Sequence, residues 1–270
     1  MRDQRPWQYR SLIVTFARRD IRARYKGTLL GFAWSLALPA ATLAVYSLVF
    51  GEFFKGNTLD IMGHTGKPGP FVVFLFSGLV VWNMYGITLA TAIVSLLGNG
   101  PLMKKIYFPP YASVFGSVLA TFYSSAFELG ILLTVLLALG NVGITWIGVL
   151  PWAIVFAVFI ASVSLTLSIA NVYLRDVNYI VGILLQLQFY LTPIIYSINI
   201  VPERLFRLPA RSLVSIQPMS VFVRVFRSLV YGLQWGAART WLEMVLWTAA
   251  AAFVAWRFYL RRGLDLSEEV

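Results

Sequence analysis

Cysteine is absent from the sequence, histidine occurs once, and only 12% of the residues are charged. Without cysteine there can be no disulfide framework, no thiolate metal site and no cysteine nucleophile. The one histidine, His64, leaves no cluster of ring nitrogens for zinc, and its Gly/Pro-rich surroundings are typical of a solvated loop. We therefore expect no metal and no other cofactor.

The scarcity of charged residues also indicates whether the chain lies in water or in a membrane. A soluble domain carries about 25% charged residues, because they must cover its surface. Here 59% of the 270 residues are hydrophobic and the mean hydropathy is +0.76. Too little polar surface remains for a soluble protein of this length, so the bulk of the chain is predicted to lie in lipid.

Nucleotide-binding motifs are missing as well. The sequence contains neither G-x-x-x-x-G-K-[ST] nor G-x-G-x-x-G, and the nearest imitation, GHTGKPG at 63–69, has the wrong spacing. The chain is therefore not expected to be an enzyme that hydrolyses ATP. If the protein pumps a substrate, the energy must come from another subunit.

What is present is a set of apolar stretches. A helix that crosses the membrane needs about 20 apolar residues. Six stretches qualify, which predicts an all-α integral membrane protein with both termini on one side: 29–50, 71–97, 111–139, 147–174, 177–198 and 241–259.

The basic residues orient these spans. The net charge is +11, and eight of the 22 basic residues precede the first span, where they can contact anionic lipid rather than nucleic acid. With the N-terminus in the cytoplasm, fourteen basic residues fall inside and eight outside. Six of those eight are arginines between the fifth and sixth spans, an excess that needs a reason.

Two cytoplasmic segments have the character of contact surfaces. Segment 8–26 places apolar residues at helical spacing and basic residues on another arc, which predicts an interfacial helix. Such a helix can be a generic anchor or can also dock a partner. The compact basic loop 98–110, closed by two prolines, suits docking into a groove of a soluble partner. The expected docking residues are Lys104, Lys105, Tyr107, Arg18 and Arg22.

Three residues interrupt the apolar spans. Pro39 and Pro193 each remove a helical hydrogen bond, as at a packing kink or beside a cavity. Glu128 within the third span is costly to insert, so it has either a functional role or a structural one bonded to nearby serines. An ion-coupled transporter would depend on it, and unchanged export in Glu128→Gln would exclude that interpretation.

Segment 199–240 is too apolar for an ordinary loop and too interrupted by proline to span the membrane. Its run 219–231 has the length of a re-entrant or interfacial helix. Short helices dipping back from the outer face would expose Arg204, Arg207, Arg211, Arg224 and Arg227 at the external mouth. They would either attract an anionic substrate or contact lipid phosphates.

Several motifs occur in the order found in a known family. They are the segment 19–50, KKIYFPP at 104–110, YLRDV at 173–177, TPIIYS at 192–197, and Gln-Pro at 217–218, where the family usually has Asn-Pro. In these motifs nearly the whole chain resembles ABC-2 type permeases that export polysaccharides, namely the exporters of O-antigen, teichoic acid and capsule. The details favour the O-antigen or teichoic-acid type.

The resemblance implies a homodimer in the bacterial cytoplasmic (inner) membrane, two cytoplasmic ATP-binding subunits and export of a lipid-linked glycan. It also implies that spans one and five follow the translocation path and that segment 199–240 forms an external gate. The path residues implied by match are Trp34, Tyr46, Phe50, Phe189, Tyr190 and Tyr196. Aromatic rings suit the apolar C–H face of a sugar, although aromatic residues at span ends also form ordinary interface belts.

The expected division of the chain is an interfacial helix at 1–28, a transmembrane domain at 29–260 and a cytoplasmic tail at 261–270. Other interpretations stay open: an ABC-2 exporter of a lipid or small molecule, an ion-coupled secondary transporter, and a membrane scaffold without transport. A soluble ATPase encoded beside this chain would favour the exporter.

Overall fold

A computed structural model describes residues 9–29, 31–49, 71–105, 108–204 and 209–263. All regular elements within these segments are helical, which confirms the all-α class. His64, Phe50, Tyr107 and Arg207 lie outside the described residues. The α-helices there are α1 (Arg10–Tyr25), α2 (Trp34–Leu48), α3 (Phe71–Ile93), α4 (Ser95–Gly98), α5 (Gly100–Met103), α6 (Pro110–Ala138), α7 (Val149–Tyr173), α8 (Val177–Leu191), α9 (Ala210–Ile216), α10 (Pro218–Val230) and α11 (Ala238–Arg262).

Three of the described helices are long and apolar enough to cross a membrane: Phe71–Ile93, Pro110–Ala138 and Ile144–Tyr173, the last being α7 with the turn before it. They correspond to the second, third and fourth predicted spans. Helices α2 and α8 are apolar but have 15 residues each, about 22 Å of helix against a hydrocarbon core of about 30 Å. Helix α11 contains the sixth predicted span and has its charged residues at its two ends.

Within the fifth predicted span, 177–198, the helix α8 stops at Leu191. Pro193 has no N–H to donate and disfavours helical geometry in the residue before it. Thr192 accordingly has an extended ψ of 132°. The backbone carbonyls that follow are left without helical partners, and they must be satisfied by other groups.

Helix α10 lies in the middle of the protein core and makes an angle of 74° with α9. Its Phe222 and Phe226 rings pack at tilted angles against three aromatic rings of α7, with centroids 4.7 to 4.9 Å apart. The indole of Trp152 also donates to the carbonyl of Phe222 (3.1 Å). The helix predicted in 219–231 is confirmed, but protein side chains cover most of its surface.

Helix α1 packs along α6 by means of a glycine. Phe16 is 3% exposed and packs against Phe108, with ring centroids 5.2 Å apart, next to Gly116 of α6. A Cβ on Gly116 would lie 2.5 Å from the Phe16 Cβ, so only glycine allows this approach. The apolar stripe predicted to face lipid therefore lies, around Phe16, against another helix of the same chain.

We expect Gly116→Ala to loosen α1. The added methyl group must push the two backbones apart, and overpacking of this kind costs about 1–3 kcal/mol. Thermal unfolding of the detergent-purified chain, followed by tryptophan fluorescence, should show a lower midpoint. Gly130→Ala on the same helix is the control, because a Cβ there meets nothing within 4 Å. An equal loss in both variants would contradict the proposed contact.

Candidate functional site

A polar network joins α1 to the segment that follows α3. Arg19 Nη1 donates to the Asn99 Oδ1 (2.6 Å), and Asn99 Nδ2 donates to Ser113 Oγ (2.6 Å) and to the Ser95 carbonyl (2.8 Å). Charge-assisted bonds to a buried amide hold geometry well. Helices α1, α4 and α6 are thus fastened together at one end of the bundle.

The predicted docking residues surround this network. Arg18 and Arg22 are exposed on α1, and Lys104 and Lys105 are exposed in the turn after α5. The structure therefore brings the two predicted contact segments side by side. The sequence analysis missed the link through Asn99, whose only signal was an asparagine between two glycines.

Arg227 caps the broken end of α8. It is 9% exposed, and its guanidinium donates to the carbonyls of Phe74 (3.0 Å), Pro193 and Ile194 (2.6 Å) and to the Ser77 Oγ (3.3 Å). The guanidinium carbon also lies 3.6 Å from the centre of the Phe74 ring. The expected exposure of Arg227 is wrong, because these groups need a buried donor.

The sequence makes room for this arginine at Gly78. A Cβ at this position would overlap the Arg227 guanidinium and press on Ile194. Among the described residues no carboxylate pairs with Arg227, so oriented carbonyl dipoles and the Phe74 ring surround the positive charge.

The other predicted gate arginines are more exposed. Arg224 Nη2 lies 3.1 Å from the Glu243 carboxylate, which also accepts from Arg239 Nε (3.0 Å). Arg211 donates to two backbone carbonyls before α9 and lies 3.6 Å from the Glu203 carboxylate. Arg204 is exposed. Glu243 thus pairs with two arginines, and the described arginines of this region outnumber its two acids.

The aromatic residues of α2 stand at its two ends. Trp34 is 42% exposed at the first position, and Tyr46 is half-buried 12 residues further on, about 18 Å along the helix. No residue of α2 is buried. These two residues therefore cannot form one site within a single copy, although both can follow one path.

The aromatic residues of α8 do lie together. Phe189 and Tyr190 meet edge to face at 5.4 Å, and Tyr190 is 65% exposed. The hydroxyl of Tyr196 donates to the carbonyls of Tyr190 and Leu191, both at 3.1 Å. Gln217 Nε2 donates to the same Leu191 carbonyl (2.7 Å), so the Gln-Pro turn takes part in ending α8.

Glu128 is 8% exposed and borders a cavity of about 270 Å³ between α1, α2, α3 and α6. Its Oε1 accepts from Asn83 Nδ2 (2.7 Å). Among the described residues no lysine, arginine or histidine pairs with it. An amide partner offers no second titratable group for a proton relay, so the geometry gives no support to an ion-coupled transporter.

Three helices long and apolar enough to cross a membrane, a helix that ends before Pro193 and the bent pair α9–α10 are features of an integral membrane protein. Residues 11–231 match the family described as ABC-2 type transporter. The match covers most of the chain, which therefore belongs to the ABC-2 type transporter family. This confirms the family identified from the motifs.

Three similar proteins bear the name O-antigen export system permease protein RfbA. The one from Myxococcus xanthus is 26% identical over 256 residues, which cover 92% of this chain and 93% of that protein. Two from Klebsiella pneumoniae are 27% and 25% identical over 195 residues, 72% of this chain and 71% of each protein.

Proposed function

We propose that the chain is the membrane-spanning subunit of an ATP-driven exporter that moves a lipid-linked, O-antigen-like polysaccharide across the bacterial inner membrane. The observation that carries the proposal is the similarity, over 92% of the chain, to a permease named for O-antigen export. A separate cytoplasmic ATP-binding subunit supplies the energy, since the sequence has no phosphate-binding loop.

In the proposed topology α2, α3, α6, α7, α8 and α11 are the six spans of domain 29–260, and segments 1–28 and 261–270 are cytoplasmic. Helices α2 and α8 are too short to cross the hydrocarbon core alone, so in this topology the residues before or after each helix complete its crossing. On α11, exposed Trp247, Phe253 and Trp256 suit a lipid-facing surface, and Arg257 begins the basic end that the positive-inside rule places in the cytoplasm.

The pore in this proposal forms between two copies of the chain. Helices α2 and α8 present exposed apolar side chains at Leu38, Val45, Ile183 and Leu187, which are 56% to 62% exposed. Six helices packed around one another leave little space for a glycan, and a symmetric pair supplies a larger ring most simply. The aromatic residues of both helices would then line the path.

Disulfide crosslinking tests this arrangement in the cysteine-free background. Val45→Cys combined with Leu187→Cys should give dimers on mild oxidation in native membranes. Phe253→Cys on the outer side of α11, 59% exposed, is the matched control and should stay monomeric. A monomeric mass in native mass spectrometry, without crosslinks from α2 or α8, would refute the dimer.

The exporter function itself is tested by complementation. The chain, expressed with the ATPase encoded beside it, should restore surface polysaccharide to a bacterium that lacks its own O-antigen permease. Co-expression with an ATPase whose phosphate-loop lysine is replaced should abolish export. Restoration that does not need an active ATPase would contradict the proposal.

The exposed Arg204 and the half-buried Arg211 and Arg224, together with Arg207, form the outer gate in this proposal. Their field would concentrate an anionic glycan at the exit over a Debye length of about 8 Å. Arg227 contributes to the same gate by holding α10 to the backbone that follows α8.

A further inference from the structure

The cavity beside Glu128 is lined by polar groups that are not needed for the packing of an apolar helix bundle. It opens between the end of α1 and helices α2, α3 and α6, with the Trp34 ring on one wall. Its polar lining includes Arg24, Asn83, Thr121, Ser124, Ser125 and Glu128. Polar groups within a spanning helix are expensive and mark functional positions by default.

The two charges of this cavity do not pair with each other. Arg24 Nη2 donates to Thr121 Oγ1 (2.7 Å) and Nη1 to Ser124 Oγ (3.5 Å), whereas Glu128 accepts from Asn83. Among the described residues neither charge has an oppositely charged partner. Ser124 and Glu128 are one helical turn apart, about 6 Å. Direct pairing would be the cheaper arrangement for a purely structural role.

A positive and a negative group held about one turn apart complement a ligand with an anion at one end and hydroxyl donors at the other. Arginine with two hydroxyls suits a phosphate, because the guanidinium binds phosphate oxygens through parallel hydrogen bonds. A carboxylate and an amide beside an aromatic ring suit a sugar, whose hydroxyls need acceptors and whose C–H face packs on the ring.

We propose that this cavity binds the junction between the phosphate and the first sugar of the lipid-linked glycan. Arg24, Thr121 and Ser124 hold the phosphate, Glu128 accepts from the sugar hydroxyls, and the ring of Trp34 covers the sugar. The inference rests on the proposed function for its substrate class. It extends recognition from Trp34 on the proposed path to α1 and α6, which lie outside that path.

Binding to the full chain in phosphatidylcholine nanodiscs tests the site with three probes. These are farnesyl phosphate linked to glucose, farnesyl phosphate alone and a farnesyl glucoside. The first should bind at least about tenfold more tightly than either of the others. It alone can form hydrogen bonds both to Arg24 through its phosphate and to Glu128 through its sugar. Phosphatidylglycerol added to the nanodiscs tests the other source of a phosphate with hydroxyls, namely a lipid headgroup.

Each end of the cavity has its own variant. Arg24→Gln should weaken the two phosphate probes about tenfold and leave the glucoside unchanged, whereas Glu128→Gln should weaken the two glucose probes and leave farnesyl phosphate unchanged. Thr121→Val should weaken the phosphate probes to a smaller degree. Lys26→Gln makes the same charge change two residues from Arg24, just beyond the end of α1; it is the control and should bind all probes normally.

Equal affinities of the wild type and the variants for all probes would overturn the proposal, and so would displacement of every probe by phosphatidylglycerol without any gain from glucose. Export by the same variants is measured in the complementation strain. A chain that exports glycan while its variants keep their affinities refutes this inference alone. A chain that binds the probes but exports nothing refutes the proposed function instead.

Discussion

Arg227→Gln should remove most of the folded protein from the membrane. Glutamine cannot reach the acceptors that the guanidinium satisfies at Phe74, Ser77, Pro193 and Ile194. Each buried carbonyl left without a donor costs about 1–3 kcal/mol, so the total is a large part of the ~5–15 kcal/mol that stabilises a typical fold. Fluorescence-detected size-exclusion of a tagged chain should show a collapsed monodisperse peak, and residual protein should unfold at a lower temperature.

Arg239→Gln is the matched control, since this side chain is 86% exposed and its ion pair is worth little. Arg227→Lys keeps the charge but offers three donors from a single point, so we expect an intermediate loss. A normal peak and a normal midpoint for Arg227→Gln would show that the clamp is dispensable. The charge of the outer gate is accordingly tested at Arg204, Arg211 and Arg224, whose side chains are less buried than that of Arg227.

The second large effect is expected at the proposed ATPase contact. Replacement of Lys104, Lys105 and Tyr107 by alanine should reduce substrate-stimulated ATP hydrolysis about tenfold, because the loss of interface contacts worth about 1.4 kcal/mol in total lowers an equilibrium constant tenfold. Export should stop while membrane insertion stays normal. The measurements are ATPase activity of the purified complex and co-purification of the two subunits.

Alanine at Arg257 and Arg261 serves as the control, since these residues carry the same charge at the proposed cytoplasmic end of α11. They lie outside the two segments fastened by Asn99, so the coupling should survive. Normal stimulated hydrolysis and normal co-purification in the Lys104, Lys105 and Tyr107 variant would place the contact elsewhere on the cytoplasmic face.

The sequence predicted the long spans because hydrophobic length alone identifies them. It predicted a helix at 219–231 for the same reason, but not that α10 lies in the core, because a run of apolar residues does not say whether lipid or protein covers it. Phe222 and Phe226 are surrounded by α7, which depends on contacts some 70 residues away in sequence.

Arg227 shows a different limit. An arginine in an amphipathic pattern indicates exposure, and only tertiary structure brings it to the carbonyls that Pro193 leaves free. The cavity between Arg24 and Glu128 was also invisible, since its two charges belong to segments about 100 residues apart. A local sequence pattern predicts individual helices. The partners of buried polar groups are set only by how these helices pack against one another.

In the proposed exporter, helix α6 moves as one rigid helix and connects α1 to the core around α10. Gly116 anchors α1 near one end, and Leu136 packs into the same hydrophobic core as α10 near the other, about 30 Å away. A tilt of about 5° imposed through α1 would therefore displace the Leu136 end by about 3 Å. A movement of the ATPase on one side of the membrane would then be transmitted through α6 and the packed core to the gate on the other side. The helices that line the path would not have to transmit this movement and could contact the glycan alone.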